Sequence, residues 1–445
     1  MTEINNNNPK KSEARKQKSG KGKTKKGKGK LHMSKPCLAM LIVMMIVAAG
    51  FLAMLTVVDA FPPKIVMVLV AVLFALLLIS GLCFLCGKKW VRVVGTVLAV
   101  FFVALYGMSI YYLTTAYAAF SKMSSQDTVQ ADTAGLNVTE DAFNVYVTGI
   151  DQWKEEKGLD LERSDVNMIV TINPKTRKIM LTSIPRDAYV ALHRTGTMDK
   201  LTHTGIYGVD ETLNTVKDWT GLSMDYYVKA NFTGFVRLVR AIGGIDIYNP
   251  VEFTSALTGH TYPKGNIHLK SYGALYYARE RKAFEGQDQL RVKNQLIVVK
   301  AIIDKITTSP AIITNYGEIL DVLGDEVETN MPMSDMQALI KFQLSDMSKW
   351  EIESQRMSGE YEMAVVASMD PSNEYQVLMV DPKTFDSCMK GIDRVMNPTQ
   401  QEIDEVQARM EAERKEAFFS NFIQSLTHRG DSEDEEAEEE ASTDK

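Results

Sequence analysis

Cysteine is scarce in this chain: 445 residues hold four, at Cys37, Cys83, Cys86 and Cys388. The first three fall in apolar segments. The region downstream therefore has one cysteine and cannot close an internal disulfide. An exported domain without disulfides suits a bacterium, a Gram-positive one above all, better than animal secretion. The sequence also lacks a P-loop, zinc-ligand spacing, a Gly-x-Ser-x-Gly elbow and a Ser/His/Asp set. Its histidines, among them His193, His203, His260 and His268, are scattered. The basic N-terminus has no interleaved aromatics, which speaks against a nucleic-acid partner. No internal repeat is visible.

Charge is present but segregated. The net charge of −6 hides a leader, residues 1–36, with twelve Lys and Arg against Glu3 and Glu13. The last fifteen residues, Asp431 to Lys445, are mostly Asp and Glu. Both ends have the composition of solvated, disordered tails. Between them come three apolar runs without a charged residue: Leu38 to Val58, Ile65 to Cys86 and Val93 to Tyr112. Each has the roughly 20 residues needed to cross about 30 Å of hydrocarbon. None shows the polar stripe of a soluble helix. Trp90, Tyr111, Tyr112 and Tyr117 suit the headgroup interface.

Positive charge orients the runs. The leader, with Lys21, Lys23, Lys25, Lys26, Lys28 and Lys30, is expected to stay in the cytoplasm. Gly87 to Arg92, with Lys88 and Lys89, is expected inside. Asp59 to Lys64 and everything after about residue 118 are then outside. The expected organisation is a leader (1–36), three transmembrane helices (37–117), an extracellular linker (118–142), an extracellular folded domain (143–397) and a charged helix with an acidic tail (398–445).

Within the folded part, Phe143 to Ile150, Val166 to Ile172, Ile179 to Ile184, Asp225 to Ala230 and Ile245 to Tyr248 read as strands. Asp210 to Trp219, Phe232 to Ile242, Ser271 to Glu280, Asp288 to Ile306, Ser334 to Lys349 and Pro382 to Val395 read as helices. Glu402 to Leu426 fits a charged surface helix. Interleaved strands and helices indicate an α/β domain, a three-layer α-β-α arrangement around a central mixed sheet.

Charged residues gather at the strand ends. Asp151 closes the first strand, Arg163 and Asp165 precede or open the second, and Arg186 and Asp187 follow the third. Ligands collect at strand ends in open α/β sheets. A second cluster is Arg279, Arg281, Asp288, Arg291 and Gln295. Arg279 and Arg281 would point about 200° apart on one helix, so the helix is expected to end there. Arg291 and Gln295, at i and i+4, share a face. Several arginines beside two aspartates have the composition of a phosphate site with a divalent metal: Arg grips phosphate oxygens bidentately, and Mg²⁺ prefers carboxylate and phosphate oxygens. The alternative is a set of surface ion pairs.

In order, the chain reads NVYVTGID (Asn144 to Asp151), RSDVNMIVTINPKTRKIMLTSIPRD (Arg163 to Asp187), DKLTH (Asp199 to His203), DYYVKANFTGFVRLVRAIGGIDI (Asp225 to Ile247), ALYYARERK (Ala274 to Lys282) and DQLRVKNQ (Asp288 to Gln295). This succession resembles the LytR–CpsA–Psr family of bacterial cell-wall proteins, from about Asn144 to Val395. Three leading apolar helices resemble its capsule-type branch, without that branch's accessory domain. The resemblance implies a Mg²⁺-dependent phosphotransferase. Such an enzyme moves a glycopolymer, teichoic acid or capsular polysaccharide, from undecaprenyl pyrophosphate to peptidoglycan and forms a phosphodiester. It implies Asp151 and Asp165 as metal-associated acids. It implies Arg163, Arg186, Arg279, Arg281 and Arg291 around the pyrophosphate, with Asp187, Lys200, Asp288 and Gln295 as further polar positions. Many members have a second Arg where this chain has Asn294. Membrane lipids and polysaccharide export machinery are the other expected partners. Asp187 and Asp288 both stand as candidate bases for the acceptor hydroxyl. An apolar groove for the prenyl chain is expected among Met168, Val170, Met180, Phe232, Phe235, Val236, Val239, Leu296 and Val299. Two alternatives stay open: a non-enzymatic binder of lipid-linked precursor, and a lipid-pyrophosphate hydrolase.

Overall fold

The computed structural model describes residues 33–124, 133, 135–150, 164–283, 287–308, 316–413 and 415–416. Residues 1–32 of the leader, Asp151, Arg163 and the acidic tail lie outside the described residues.

Three helices come first: α1 (Lys35–Val58), α2 (Pro63–Leu85) and α3 (Lys89–Ser124). All three are long and apolar enough to cross a membrane. Met44, Phe51, Leu73, Phe84 and Phe102 pack between them, while Ile46, Phe74 and Leu78 face outward. Apolar side chains on both the inner and outer faces are what lipid surroundings require.

The third helix is longer than its apolar run. The stretch expected to begin the linker, 118–124, is the end of α3, which runs past the lipid-length segment and docks on the folded domain. Phe120 and Met123 enter the domain core. Ala119 meets Gly324 so closely that a Cβ at Gly324 would lie 3.2 Å from the Ala119 Cα. Lys122 is ion-paired with Asp325. The polar composition of this stretch suggested a linker, and tertiary packing overrides it. A second clamp joins Lys341 to Asp59 in the α1–α2 connection, at 2.8 Å. The connection at 59–62 and the folded domain therefore share one end of the bundle.

The domain is a three-layer α-β-α structure. Its sheet contains β1 (Phe143–Ile150), β2 (Ser164–Asn173), β3 (Lys178–Ile184), β4 (Tyr226–Asn231), β5 (Val327–Thr329) and β6 (Glu351–Arg356). The order is β5-β4-β1-β2-β3-β6. β1 pairs parallel with β4 and β3 with β6, and the other pairings are antiparallel. The sheet is therefore mixed. Strand alternation divides the core. Val145, Met168, Val170, Leu181 and Tyr226 face α7 (Gln287–Thr308) and α9 (Met333–Asp346). Tyr146, Ile169, Ile184 and Tyr227 face α4 (Val209–Thr220) and α10 (Pro382–Met396). Beside the first face stand α5 (Phe232–Ala241), α6 (Ser271–Arg279) and α8 (Tyr316–Glu326). A hairpin, β7 (Gly359–Ala364) with β8 (Tyr375–Val380), follows β6. The expected charged helix is present over residues 400–413 and at 415–416, and the rest of it lies outside the described residues.

Candidate active site

The parallel pairs bring the ends of β1, β4, β3 and β6 to one edge of the sheet, and the antiparallel β2 begins there. Asp165 enters this edge at the start of β2, and Arg186 and Asp187 leave it after β3. Arg186 Nη1 donates to Asp165 Oδ1 at 2.5 Å, and its Nε lies 3.5 Å from Asp187 Oδ2. Lys200 Nζ is 3.6 Å from Asp187 Oδ1. These four side chains are all less than a quarter exposed. A short helix, Leu201–Thr204, holds their loop: Thr202 N–H donates to the Arg186 carbonyl and Leu201 N–H to that of Ala188. Behind it, Asp199 accepts from the His203 ring at 2.7 Å and from Ser368 N–H at 2.8 Å. Burial opposes ionisation of Asp199, but the bonds from His203, Ser368 and the Lys200 N–H outweigh it and hold the carboxyl below its ordinary value.

The second cluster has the expected break. α6 ends at Arg279, and Glu280 is extended. The fully buried Glu280 turns its Oε1 back to accept from the N–H groups of Arg281, Lys282 and Ala283, at 2.9, 2.8 and 3.2 Å. Burial again works against ionisation. The Ser255 hydroxyl and those three N–H groups win and keep the Glu280 carboxyl below the usual range. One collar thus ends the helix between Arg279 and Arg281. The Arg279 guanidinium lies 4.6 Å above the Phe232 ring. Arg291 and Gln295, both buried, come up from the first turns of α7. Asp288 is on α7 as well.

Two cavities open from this edge. One, about 400 Å³, is apolar and runs between the sheet and α5, α6 and α7. Val147, Phe232, Phe235, Leu275, Val298 and Val299 line it, and Asp165, Arg279, Arg291 and Gln295 stand with them. Gly149 leaves room in its wall, since a Cβ there would lie a tight 3.1 Å from the Val166 side chain. The other cavity, about 580 Å³, is polar and lies toward the hairpin, with Asp187, Lys200, Arg356, Tyr361 and Gln376 in its walls. Arg186 and Arg281 line both cavities.

Most sequence-predicted residues therefore converge. Arg186, Asp187, Lys200, Arg279, Arg281, Arg291, Gln295 and Asp165 meet at one sheet edge. Asp151 and Arg163 lie outside the described residues. The expected groove lining needs correction. Phe232, Phe235 and Val299 line the apolar cavity, but Met168 and Val170 are packed core beneath α7, and Leu296 on α7 and Val239 on α5 are packed core as well. Met180 is buried in the sheet, and Val236 faces a separate cleft with Arg237 and Tyr272. Strand and helix periodicity marks inward positions, but it does not separate a filled interior from an open one. Sequence reading also missed Glu280, whose place between two arginines in the run Arg279-Glu280-Arg281 was the available signal. The hairpin residues Tyr361 and Gln376 carried no signal. Asn294, where many family members have Arg, is buried and donates to the Tyr277 carbonyl at 3.0 Å, pinning α7 to α6.

Residues 108–390 match the model of the LytR_cpsA_psr family. The chain belongs to this family. A Bacillus anthracis protein, named polyisoprenyl-teichoic acid–peptidoglycan teichoic acid transferase TagU, is 34% identical over 251 residues, covering 54% of this chain and 79% of that protein. The protein of the same name from Oceanobacillus iheyensis is 33% identical over 267 residues, covering 57% and 81%. Among solved structures, Bacillus subtilis TagV matches at 29% identity with a TM-score of 0.46, over 58% of this chain and 99% of that one. Among the described residues, no three His, Cys, Asp or Glu side chains gather as a self-sufficient metal cage. Of the two expected metal-associated acids, Asp165 is the one among the described residues, and it presents a hard carboxylate oxygen beside the arginines. That fits Mg²⁺ held by one or two carboxylates with phosphate oxygens completing its shell, rather than an all-protein site.

Proposed function

We propose that this chain is a membrane-anchored phosphotransferase that moves a glycopolymer from undecaprenyl pyrophosphate to peptidoglycan. The observation that carries the reading is the meeting of an apolar and a polar cavity at Arg186 and Arg281. Teichoic acid is the donor glycan named for its relatives. The domain works on the outer face of the membrane, the side that the loop charges favour.

The apolar cavity receives the pyrophosphate-proximal part of the prenyl chain. Arg186, Arg279, Arg281 and Arg291 surround the pyrophosphate, whose oxygens gain negative charge on the leaving side as the bridging bond breaks. Fixed guanidinium groups stabilise that charge without reorganising, which is where an electrostatic catalyst gains most. Gln295 adds an uncharged donor. Asp165, with Asp151, would hold Mg²⁺, which neutralises phosphate charge when bound. The new bond forms between the acceptor hydroxyl oxygen and the glycan-bearing phosphorus. The bond to the bridging oxygen breaks, and prenyl phosphate leaves with the electron pair. Asp187, in the polar cavity, accepts the hydroxyl proton, and Lys200 beside it keeps its carboxylate oriented.

The test uses the full-length protein in detergent micelles, with a prenyl-pyrophosphate-linked oligosaccharide and peptidoglycan fragments. Phosphodiester-linked product should appear and depend on Mg²⁺. Release of free glycan phosphate at the same rate with and without acceptor would show a hydrolase instead. Binding of the donor without turnover would leave only a carrier-binding role.

A further inference from the structure

We infer that the polar cavity, walled by the β7–β8 hairpin, is the seat of the acceptor glycan strand, with Tyr361 and Gln376 as its recognition residues. The inference rests on the phosphotransfer reading. It goes beyond it by placing the second substrate.

The first reason is stereochemical. In phosphoryl transfer the attacking and leaving oxygens stand roughly in line, on opposite sides of the phosphorus. The leaving oxygen belongs to prenyl phosphate, whose chain occupies the apolar cavity. The attacking hydroxyl therefore arrives from the other side of Arg186 and Arg281. The cavity on that side is the polar one, and Asp187 is in its wall. The donor's own glycan, an ester of the same phosphorus, projects away from this line.

The second reason is the character of the wall. Cross-strand partners share a face, and the register pairs Tyr361 with Leu378 and Met363 with Gln376. Tyr361, 42% exposed, offers an aromatic platform, and the buried Leu378 stands beside it in the same wall. A pyranose has one face of C–H groups that packs on such a surface, while its edge hydroxyls and acetamido groups seek hydrogen bonds. Gln376 supplies both a donor and an acceptor. Arg356, at the end of β6, places a cation in the same cavity, matched to the carboxylates carried by a muramyl strand.

The third reason is that the wall is preformed. Leu378 N–H donates to the Asp187 carbonyl at 2.8 Å, and Tyr189 Oη to the Val365 carbonyl at 2.7 Å. Ala367 N–H donates to the Met198 carbonyl, and Ser368 bonds Asp199 and His203. At Gly359 the strands approach so closely that a side chain would strike the Met379 carbonyl. A hairpin tied to the Asp187 loop holds an acceptor hydroxyl in register with the candidate base, and such positioning is a large part of transfer catalysis.

The experiment varies acceptor concentration at saturating donor, in the full-length protein, for Tyr361→Ala, Gln376→Ala and Tyr361→Phe. Acceptor KM should rise about fivefold to tenfold in the two alanine variants. Tyr361→Phe, which keeps the ring, should stay close to wild type. The Kd for a prenyl pyrophosphate without glycan should not move. Unchanged acceptor KM in both alanine variants overturns the inference. So does a weaker Kd for the glycan-bearing donor at unchanged acceptor KM, because the cavity would then hold the donor's glycan. If Tyr361→Ala melts early, Gln376→Ala, at an exposed position, decides the matter alone. Failure of the underlying reading looks different: Arg291→Ala would bind prenyl pyrophosphate as tightly as wild type, whatever the hairpin variants do.

Discussion

The two cavities at the sheet edge are neighbours made by different means. The apolar one lies between the sheet and three helices, and its walls are the ends of a hydrophobic core left open. The polar one lies between strand ends and a hairpin fastened from outside by backbone and side-chain hydrogen bonds. The first should tolerate conservative apolar change. The second depends on a few specific bonds. Arg186 and Arg281 line both cavities; on the proposed reading, a lipid and a hydrophilic group meet there without either leaving its preferred surroundings.

The largest effect should come from breaking the shared wall. Arg281→Ala is expected to lower transfer by about 10²–10³-fold, the usual loss on removing one group that stabilises developing oxyanion charge. The thermal midpoint should stay near wild type, since Arg281 is only partly buried at a chain turn. An Arg281→Ala protein that turns over normally would separate the two cavities and end the proposal that they act together. A smaller, one-sided effect is expected at Leu257, an exposed residue on the apolar rim. On the proposed reading, Leu257→Asp puts a carboxylate in the path of an apolar chain and an anionic pyrophosphate. Donor affinity should fall roughly tenfold, and the gain expected from each further buried CH₂ of the prenyl chain, about 0.8 kcal/mol in the wild type, should shrink. Acceptor KM should not change.

The contrast also explains what could be read from sequence. The apolar helices, the strand order of residues around Arg186 and the break at Arg279 follow from local rules: run length, period and the angle between i and i+2. The Arg291–Gln295 face follows from helix geometry. What sequence alone missed depends on contacts distant in the chain. Ser368 lies 165 residues from His203, and its role in fixing the hairpin has no local signature. Met168 and Phe235 are both apolar at inward positions, yet one fills a core and the other lines an opening, because only the placement of α5 and α6 decides which interior stays empty. The α3 extension was misread for the same reason. Its polar-looking end is stabilised by α8, not by its own composition.

At the divide itself, Glu280→Gln should be milder than the arginine change. The amide keeps an acceptor for the three N–H groups but loses the charge that strengthens those bonds, a cost of about 1–2 kcal/mol read as a lower thermal midpoint at neutral pH. The sign with pH follows from linkage. A carboxyl held below its ordinary value of 4.5 contributes stability above that value and loses it as pH falls through the depressed folded value. The wild-type advantage over Glu280→Gln should therefore vanish in acid. An advantage that persists there would mean the turn is held by shape and not by charge.

The smallest expected effect is at the far end of the polar cavity. Ser368→Ala deletes the hydroxyl 2.8 Å from His203 Nδ1 but keeps the backbone N–H to Asp199. The loss should be about 1 kcal/mol or less, the net value of one hydrogen bond. Asp199 is also held below its ordinary value, against burial, by His203 and Ser368 together, so it too stabilises above that value and fails as pH falls. A loosened Ser368 loop gives the carboxyl less hold, and acid destabilisation of the variant should begin at a higher pH than in wild type. Hydrogen exchange should show where the loss goes. If the hairpin is fastened from outside, faster exchange will appear in β7 and β8 while α5, α6 and α7 keep wild-type protection. Equal loosening of both cavities would mean that they form one cooperative unit, and the difference between them would then be one of surface chemistry alone.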